Sequence, residues 1–203
     1  MAGELVVFID AQNMYQGARE TFFSRTGSHT LGQFDPLRLG ELICKKKPFG
    51  QENTARRLKQ VRIYTGRPDS SKDPQTYGAH MRQCAAWEKK GIVVRPRTLR
   101  YPHDWPARQA EEKGVDVALA IDFVIMAVEG EYDIGVIAST DTDLRPAIEY
   151  VMAKAKASAE VAAWQASVRT GLTIPNVRLW CHRLGKAEYD AVADYADYNI
   201  KPS

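Results

Sequence analysis

The feature that most constrains this sequence is a short apolar strand that runs directly into aspartate, and it occurs twice. Val6–Ile9 is followed by Asp10, and Ile134–Ala138 is followed by Ser139–Asp143, which contains two aspartates. If both strands are parallel neighbours, the aspartates emerge at one edge of the sheet, where parallel α/β sheets place their ligand sites. Carboxylates that converge with little water repel one another unless a cation lies between them. The pattern therefore predicts a site for a hard metal ion.

Composition indicates one globular domain spanning residues 1–203, since 44% of the residues are hydrophobic and 26% are charged. No apolar stretch approaches the roughly 20 residues needed to span a bilayer. The N-terminus has no basic region followed by an apolar signal run. These features predict a cytoplasmic protein with no membrane partner. The three cysteines, Cys44, Cys84 and Cys181, are odd in number and far apart, which argues against a disulfide framework or a cysteine zinc site.

Alternating strand and helix signals predict an α/β fold with a central, mostly parallel sheet covered on both faces. The predicted strand order is 3-2-1-4-5, so that the first and fourth strands are neighbours. We expect the core at about 5–165, with a C-terminal strand and helix at 177–196 packed on it. The predicted strands are 5–9, 61–65, 92–95, 134–138, 160–164 and 177–181, although the alanines of 160–164 would also suit a helix. The predicted helices are 13–23, 36–46, 73–90, 115–128, 144–156 and 186–196.

The predicted helix Val115–Val128 is apolar almost all round, which indicates a buried element. Asp116 lies in its first turn, where an acid also interacts favourably with the helix dipole. Asp122 follows six residues later, about 240° further around the helix axis, and so lies on another face. It either binds a basic residue or supports the metal site indirectly.

The polar residues beside the aspartates have two interpretations. Asn13 fits a helix cap or an amide that steadies metal ligands. Asp141 and Asp143, next to the hydroxyls of Ser139 and Thr140, fit helix capping, but two acids in one turn exceed what a single cap requires. Oxygen ligands of this kind suit Mg²⁺ or Mn²⁺.

Other reaction types lack their signatures in this sequence. The histidines show no zinc-ligand spacing, no strand-turn-serine motif indicates a serine triad, and there is no glycine-rich phosphate loop. Chemistry that needs only carboxylates and a cation fits best.

Three motifs in order resemble the NYN domains, which are PIN-like metal-dependent ribonucleases that include the LabA-type proteins. The motifs are Phe8–Tyr15, Lys113–Asp116 and Ser139–Leu144, and the resemblance covers roughly residues 5–165. It implies a PIN-like Rossmannoid three-layer sandwich and a metal-dependent endoribonuclease. Thr140 and Leu144 stand where the family usually has glycine and phenylalanine.

The resemblance also implies the roles of individual residues. Metal binding falls to Asp10, Asp116 and Asp141, and catalysis to these three together with Asp143. Supporting roles fall to Asn13, Asp122, Ser139 and Thr140. Hydrolysis of a phosphodiester through Mg²⁺ or Mn²⁺ is the expected reaction.

An RNA substrate needs a basic path to the acidic edge. Residues 1–113 carry 20 Lys and Arg against 12 Asp and Glu, whereas the remaining residues carry 8 against 13. Interleaved Tyr101, His103 and Trp105 suit stacking with single-stranded RNA, although Trp105 also fits a loop pinned to the core. The candidate RNA-binding residues are Arg67, Arg95, Arg97, Arg100 and Lys113, with Arg108 nearby.

Two further readings stay open. The chain could be a regulatory RNA-binding or protein-interaction module whose acidic site is vestigial, and a homodimer is compatible with either role. A metal-dependent phosphohydrolase acting on small molecules fits less well, because Gln12 stands where a D-x-D motif has its second aspartate.

Overall fold

The computed structural model describes residues 2–23, 26–48, 50, 54–165, 173–174 and 179–200, and within them six strands form one sheet. The strands are β1 (Gly3–Asp10), β2 (Arg56–Arg67), β3 (Val93–Thr98), β4 (Ile134–Ala138), β5 (Ser158–Trp164) and β6 (Trp180–Leu184). The helices are α1 (Ala11–Phe22), α2 (Pro36–Lys45), α3 (Pro74–Glu88), α4 (Val115–Val128), α5 (Arg145–Lys154) and α6 (Lys186–Val192), with a 3₁₀ turn at Thr142–Leu144.

The strand order is β3-β2-β1-β4-β5-β6, and every neighbouring pair is parallel. The predicted α/β class and the order 3-2-1-4-5 are therefore confirmed, and β6 extends the sheet beyond β5. Ile9 pairs with Ala138, so the residues that follow these two strands leave the sheet at the same level. The chain reverses its strand order between β1 and β4, which is the kind of position where open α/β sheets bind ligands.

Strands β1, β2, β3 and β5 extend beyond their predicted ends, and among these β2 and β3 extend furthest. The first five residues of β2 alternate between exposed and half-buried positions and carry mostly polar side chains, so their apolar signal is weak. Most of β3 is exposed because it is the sheet edge, and it continues to Thr98, three residues beyond its predicted end. The predicted strand at 177–181 falls partly outside the described residues, and the observed β6 begins at Trp180.

Alternating side chains of β1 supply two separate cores, one on each face of the sheet. Leu5, Val7 and Ile9 pack with side chains of α1, α2, α3 and α6. Val6 and Phe8 pack with α4 and α5, where the rings of Phe8 and Phe123 meet edge to face at 5.2 Å. The result is a three-layer sandwich that fixes β1 rigidly from both sides.

The expectation that α4 is buried all round is wrong. Its outward face carries Val117, Ile121, Ile125 and Val128, which are 47–59% exposed. The helix forms an outer layer, so only the face with Leu119 and the neighbouring large apolar residues reaches the sheet. No helix in the described part of the chain has the length and apolarity needed to cross a membrane.

A buried cluster of three ionisable side chains connects β2, β5 and β6. The guanidinium of Arg56 donates two hydrogen bonds to Glu160, at 3.0 and 2.8 Å. The Nε2 atom of His182 lies 2.7 Å from the same carboxylate. Burial by itself raises the pKa of Glu160, but the bonds from His182 and Arg56 outweigh it and hold the pKa below its usual range. The carboxylate is thus charged and fully engaged in the folded protein.

Replacing Glu160 with alanine should lower the free energy of unfolding by about 3 kcal/mol, because a buried guanidinium loses its carboxylate. Since folding lowers the pKa of Glu160, the stabilisation is present above the ordinary glutamate pKa and is lost as pH falls through the folded value. Urea unfolding at several pH values measures both effects. Glu149→Ala, at an exposed position on α5, is the control; equal stability of the two variants at pH 7 would contradict the assignment.

Candidate active site

Asp10 ends β1 and caps α1, and its carboxylate is buried. One oxygen accepts a hydrogen bond from the backbone N–H of Asn13 at 3.1 Å, and the other accepts from the hydroxyl of Ser139 at 3.2 Å. Burial raises the pKa of Asp10, and the nearby charges of Asp141 and Asp116 raise it further against the effect of the hydrogen bonds. Asp10 therefore lies in the electrostatic field of both other predicted metal ligands.

The turn after β4 connects the two aspartate-bearing segments. Ser139 is completely buried; its hydroxyl donates to Asp10 and accepts from the backbone N–H of Asp141 at 3.1 Å. Asp141 in turn caps the 3₁₀ turn by accepting from the N–H of Asp143 at 2.9 Å. Asp143 itself is exposed. The capping expected from the sequence is therefore observed in Asp141, which is also one of the predicted metal ligands.

Asn13 clamps this turn to α1. Its amide oxygen accepts from both the backbone N–H and the hydroxyl of Thr140, at 2.9 and 3.1 Å. Thr140, which stands where the related sequences usually have glycine, therefore adds a hydrogen bond that glycine could not make. The supporting residues Asn13, Ser139 and Thr140 are brought together around Asp10.

Glu112 is an acidic residue of the site that sequence reasoning missed. Its carboxylate accepts from the backbone N–H of Gly66 at 2.6 Å. Burial is the main cause that raises the pKa of Glu112, and the charges of Asp10 and Asp116 raise it further. A side chain at Gly66 would lie 2.6 Å from this carboxylate and 2.3 Å from Leu99, so the close approach requires glycine. The available signal was a Glu-Glu pair directly before the Lys113–Asp116 motif.

Asp116 lies in the first turn of α4, beyond Gly114, whose positive φ of 72° suits glycine. Within the described ranges its carboxylate makes no hydrogen bond or ion pair, and its charge acts on both Asp10 and Glu112. A half-buried, charged carboxylate that lies near other acids and has no basic partner costs free energy unless a cation binds beside it.

Asp122 is engaged elsewhere. It accepts hydrogen bonds from Arg62 at 2.7 Å and from the Tyr64 hydroxyl at 2.8 Å, and Arg95 lies 3.6 Å away. Burial alone would raise its pKa, but Arg62 and Tyr64 hold it below the usual range. The structure therefore joins Asp122 to β2 and β3, and none of these bonds connects it to the other acids.

The predicted RNA-binding residues lie on different faces of the sheet edge. Tyr64 and Gly66 pair with Arg95 and Arg97, so those arginines share the α4 face. Arg67 lies on the opposite face, where it donates to Thr98. Arg100 pairs with Glu111 through its backbone, and Lys113 is exposed beside Glu112.

The aromatic residues of the same segment form a small cluster of their own. The rings of Tyr101 and Trp105 meet edge to face at 4.9 Å, and the Tyr101 hydroxyl accepts from the backbone N–H of Asp69. His103 is exposed. The cluster pins the 101–105 loop to the turn after β2.

The donor set suits a hydrated divalent cation better than a closed cage. Across the described segments, no three His, Cys, Asp or Glu side chains form a ready-made metal cluster. Mg²⁺ commonly binds through one or two carboxylates and keeps several waters. A cleft of about 470 Å³ is lined by Asp10, Asn13, Glu112 and Thr140 among others, whereas Asp116 and Asp141 are not among its lining residues. The donors are all oxygens, and their mutual repulsion favours a cation.

Comparison with known sequences then decides the family. The NYN domain family model matches residues 4–171. The chain belongs to the NYN domain family. This places it among the PIN-like nuclease domains, as the three motifs predicted.

A solved structure supports the fold. The chain is similar to a protein of unknown function from Vibrio parahaemolyticus, at 17% sequence identity and a TM-score of 0.51, over 79% of this chain and 81% of that one. The comparison with curated proteins gave no match. At this identity the likeness concerns the fold alone, and the function must be argued from the site.

If the acids share one field, replacing Asp141 with asparagine should lower the pKa of Asp10, because a neighbouring negative charge is removed. The pKa should remain above the ordinary aspartate value, since burial is the larger cause. Carboxyl ¹³C NMR titration measures it. Asp133→Asn, at the opposite end of β4, is the control; an unchanged Asp10 pKa in Asp141→Asn would show that the two carboxylates are not neighbours.

Proposed function

We propose that this NYN-domain protein is a divalent-metal-dependent endoribonuclease that hydrolyses phosphodiester bonds of single-stranded RNA. The observation that carries the proposal is the electrostatic influence that buried or half-buried acids of three separate segments exert on Asp10 and Glu112, with no basic partner among the described residues. The charges of Asp141 and Asp116 add to burial in raising the pKa of Asp10, and the charges of Asp10 and Asp116 add to burial in raising the pKa of Glu112.

Several features support a cation as the missing partner. A group of acids held this way costs folding free energy, and a bound Mg²⁺ or Mn²⁺ would offset that cost. The hydrogen bonds from Ser139 and Asn13 orient Asp10 without neutralising it. Hydrogen bonds of this kind to a metal-binding carboxylate ordinarily fix its orientation.

When bound, the cation supplies Lewis-acid chemistry: it lowers the pKa of water and stabilises negative charge on phosphate oxygens. Asp10, Asp116 and Asp141 would hold it. Asp143, which is exposed in the 3₁₀ turn after Asp141, would orient water or accept its proton. The Ser139 hydroxyl keeps Asp10 and the Asp141 turn in fixed relation, so the ligands are organised before substrate arrives.

Asp10→Asn and Asp141→Asn should each reduce cleavage of a fluorescent single-stranded RNA to background, because each removes a charged ligand. Ser139→Ala should reduce it by about 10- to 100-fold, the usual cost of losing a group that orients a ligand. Gel or fluorescence assays in Mn²⁺ measure the rates.

Folding of these variants is checked by thermal unfolding. Asp10→Asn should be at least as stable as the wild type at pH 7, because the buried carboxylate has a raised pKa and its charge opposes folding. Loss of activity therefore cannot be ascribed to unfolding. Undiminished cutting by Asp141→Asn would refute the metal-ligand assignment.

One observation favours a second candidate, a non-catalytic RNA-binding or regulatory module. It is the absence, within the described residues, of three acids close enough to form a preformed metal cluster. Calorimetric titration with Mn²⁺ separates the two functions. Binding by the wild type and its loss in Asp10→Ala support the enzyme, whereas no binding by either protein supports the module.

RNA affinity should depend steeply on salt if the basic residues bind phosphates. Removing Arg97 and Arg100 together, as a double glutamine variant, should weaken binding of RNA of any sequence. It should reduce the slope of log affinity against log salt by about 2, one unit for each lost phosphate contact. Fluorescence anisotropy at several salt concentrations measures the slope.

The matched control is Lys154→Gln, at the far end of α5 and away from the carboxyl edge of the sheet. It removes a charge without touching the proposed path, so its slope should equal that of the wild type. An unaltered slope in the double arginine variant would exclude these arginines from the RNA interface.

A further inference from the structure

A second cavity adjoins the acidic cleft. It has a volume of about 730 Å³ and shares Gln12 and Glu112 with the cleft. Its walls come from α1, α3, the 110–112 segment and residues 198–199. The volume lies in the range of small-ligand sites. A ligand in this cavity would therefore lie next to a ligand in the cleft that contains Asp10.

The lining of this cavity disfavours phosphate. Its described residues include no lysine or arginine, whereas Glu111 and Glu112 contribute carboxylates. Burial, with a smaller effect of the Arg67 charge, lowers the pKa of His80 to about 4, so this imidazole is neutral at pH 7. An uncharged ligand with hydrogen-bonding edges fits these walls.

Two buried polar atoms of lining residues lack a partner in the described structure. Trp87 is 5% exposed, and its indole N–H has no acceptor. The side-chain oxygen of Gln33 is likewise buried without a donor. Unsatisfied buried groups are uncommon, and each calls for a missing water or ligand. Both residues line the cavity, one with a donor and the other with an acceptor that lacks a partner.

The wall formed by the C-terminal segment is held by specific bonds. Arg82 donates to the backbone carbonyl of Tyr198 at 2.7 Å and to that of Asn199 at 3.4 Å. The Asn199 amide lies 2.9 Å from the His29 ring. The hydroxyl of Tyr15 on α1 donates to the backbone carbonyl of His29 at 2.9 Å. His29 therefore contacts both α1 and the C-terminal segment. The cavity is thus a built feature of the fold.

We propose that this cavity receives one unpaired nucleobase of the RNA strand whose phosphate lies at the acidic cleft. The inference rests on the proposed nuclease function and names how its substrate is recognised. Unpaired RNA bases are bound by stacking on aromatic side chains and by hydrogen bonds to their edges. Trp87 and Tyr15 supply rings, and Gln33 and Gln83 supply amides.

The charge of the rim predicts which base is preferred. Carboxylates only accept hydrogen bonds when ionised, so Glu111 and Glu112 favour a base with an exocyclic amino group. Cytosine carries an amino group where uracil, which has the same size, carries a carbonyl. Cytosine should therefore bind more tightly than uracil.

The test uses cytidine and uridine as probes, without metal and without cleavage. Cytidine at millimolar concentration should shift the indole N–H signal of Trp87 in ¹⁵N-correlated NMR spectra, and uridine should shift it less at equal concentration. Trp87→Phe assigns the signal. Gln83→Leu should weaken cytidine binding by about fivefold, as expected for one lost hydrogen bond.

Gln75→Leu is the matched control, because Gln75 lies exposed on the same helix and is not part of the cavity. Its cytidine affinity should equal that of the wild type, and unchanged dispersion of both spectra shows that both variants fold. No Trp87 shift, an equal response to both nucleosides, or unaltered cytidine binding by Gln83→Leu would each overturn the proposal; the first outcome means a cavity filled by water only.

Failure of the nuclease and failure of the base site give different results. RNA cleavage without a Trp87 response to cytidine refutes the base site and leaves the nuclease. A Trp87 response that is selective for cytidine, in a protein that cuts no RNA, refutes the nuclease function and supports the cavity as a base site.

Discussion

The parallel pairing of β1 with β4 is the constraint on which the rest of this structure depends. Because Ile9 is aligned with Ala138, Asp10 and Ser139 leave the sheet side by side and bond to each other. This pairing places the capped turn of Asp141 next to Asp10. Two apolar cores hold β1 from both faces, so Asp10 is positioned by a strand that is buried on both sides.

The buried acids of the candidate site lower the stability of the folded protein. Asp10 is buried, and burial together with the charges of Asp141 and Asp116 raises the pKa of its carboxyl. Glu112 is in a similar position. By contrast, the equally buried Glu160 is matched by Arg56 and His182. The protein thus pairs a buried carboxylate with basic groups where it serves folding, whereas Asp10 and Glu112 at the carboxyl edge of the sheet have no basic partner among the described residues.

Much of the fold and part of the site were predictable from local sequence. Strand-to-aspartate segments gave the strand order and the placement of Asp10 and Asp141, because parallel strands end at one edge. Glu112 was missed because its burial depends on contact with Gly66, 46 residues away. The exposure of α4 was missed because hydrophobicity alone does not reveal whether a partner covers a helix. Arg67 and Arg95 lie on opposite faces of the sheet because side chains alternate along each strand. Predicting this needed the register between β2 and β3, which the sequence does not reveal.

A crystal structure in Mn²⁺ with anomalous scattering tests the central claim most directly. The account predicts an anomalous peak at the carboxyl edge of the sheet, coordinated by Asp10 together with Asp116 or Asp141, and lost in crystals of Asp10→Asn. A well-ordered structure at saturating Mn²⁺ with these carboxylates in place and no peak between them would contradict it.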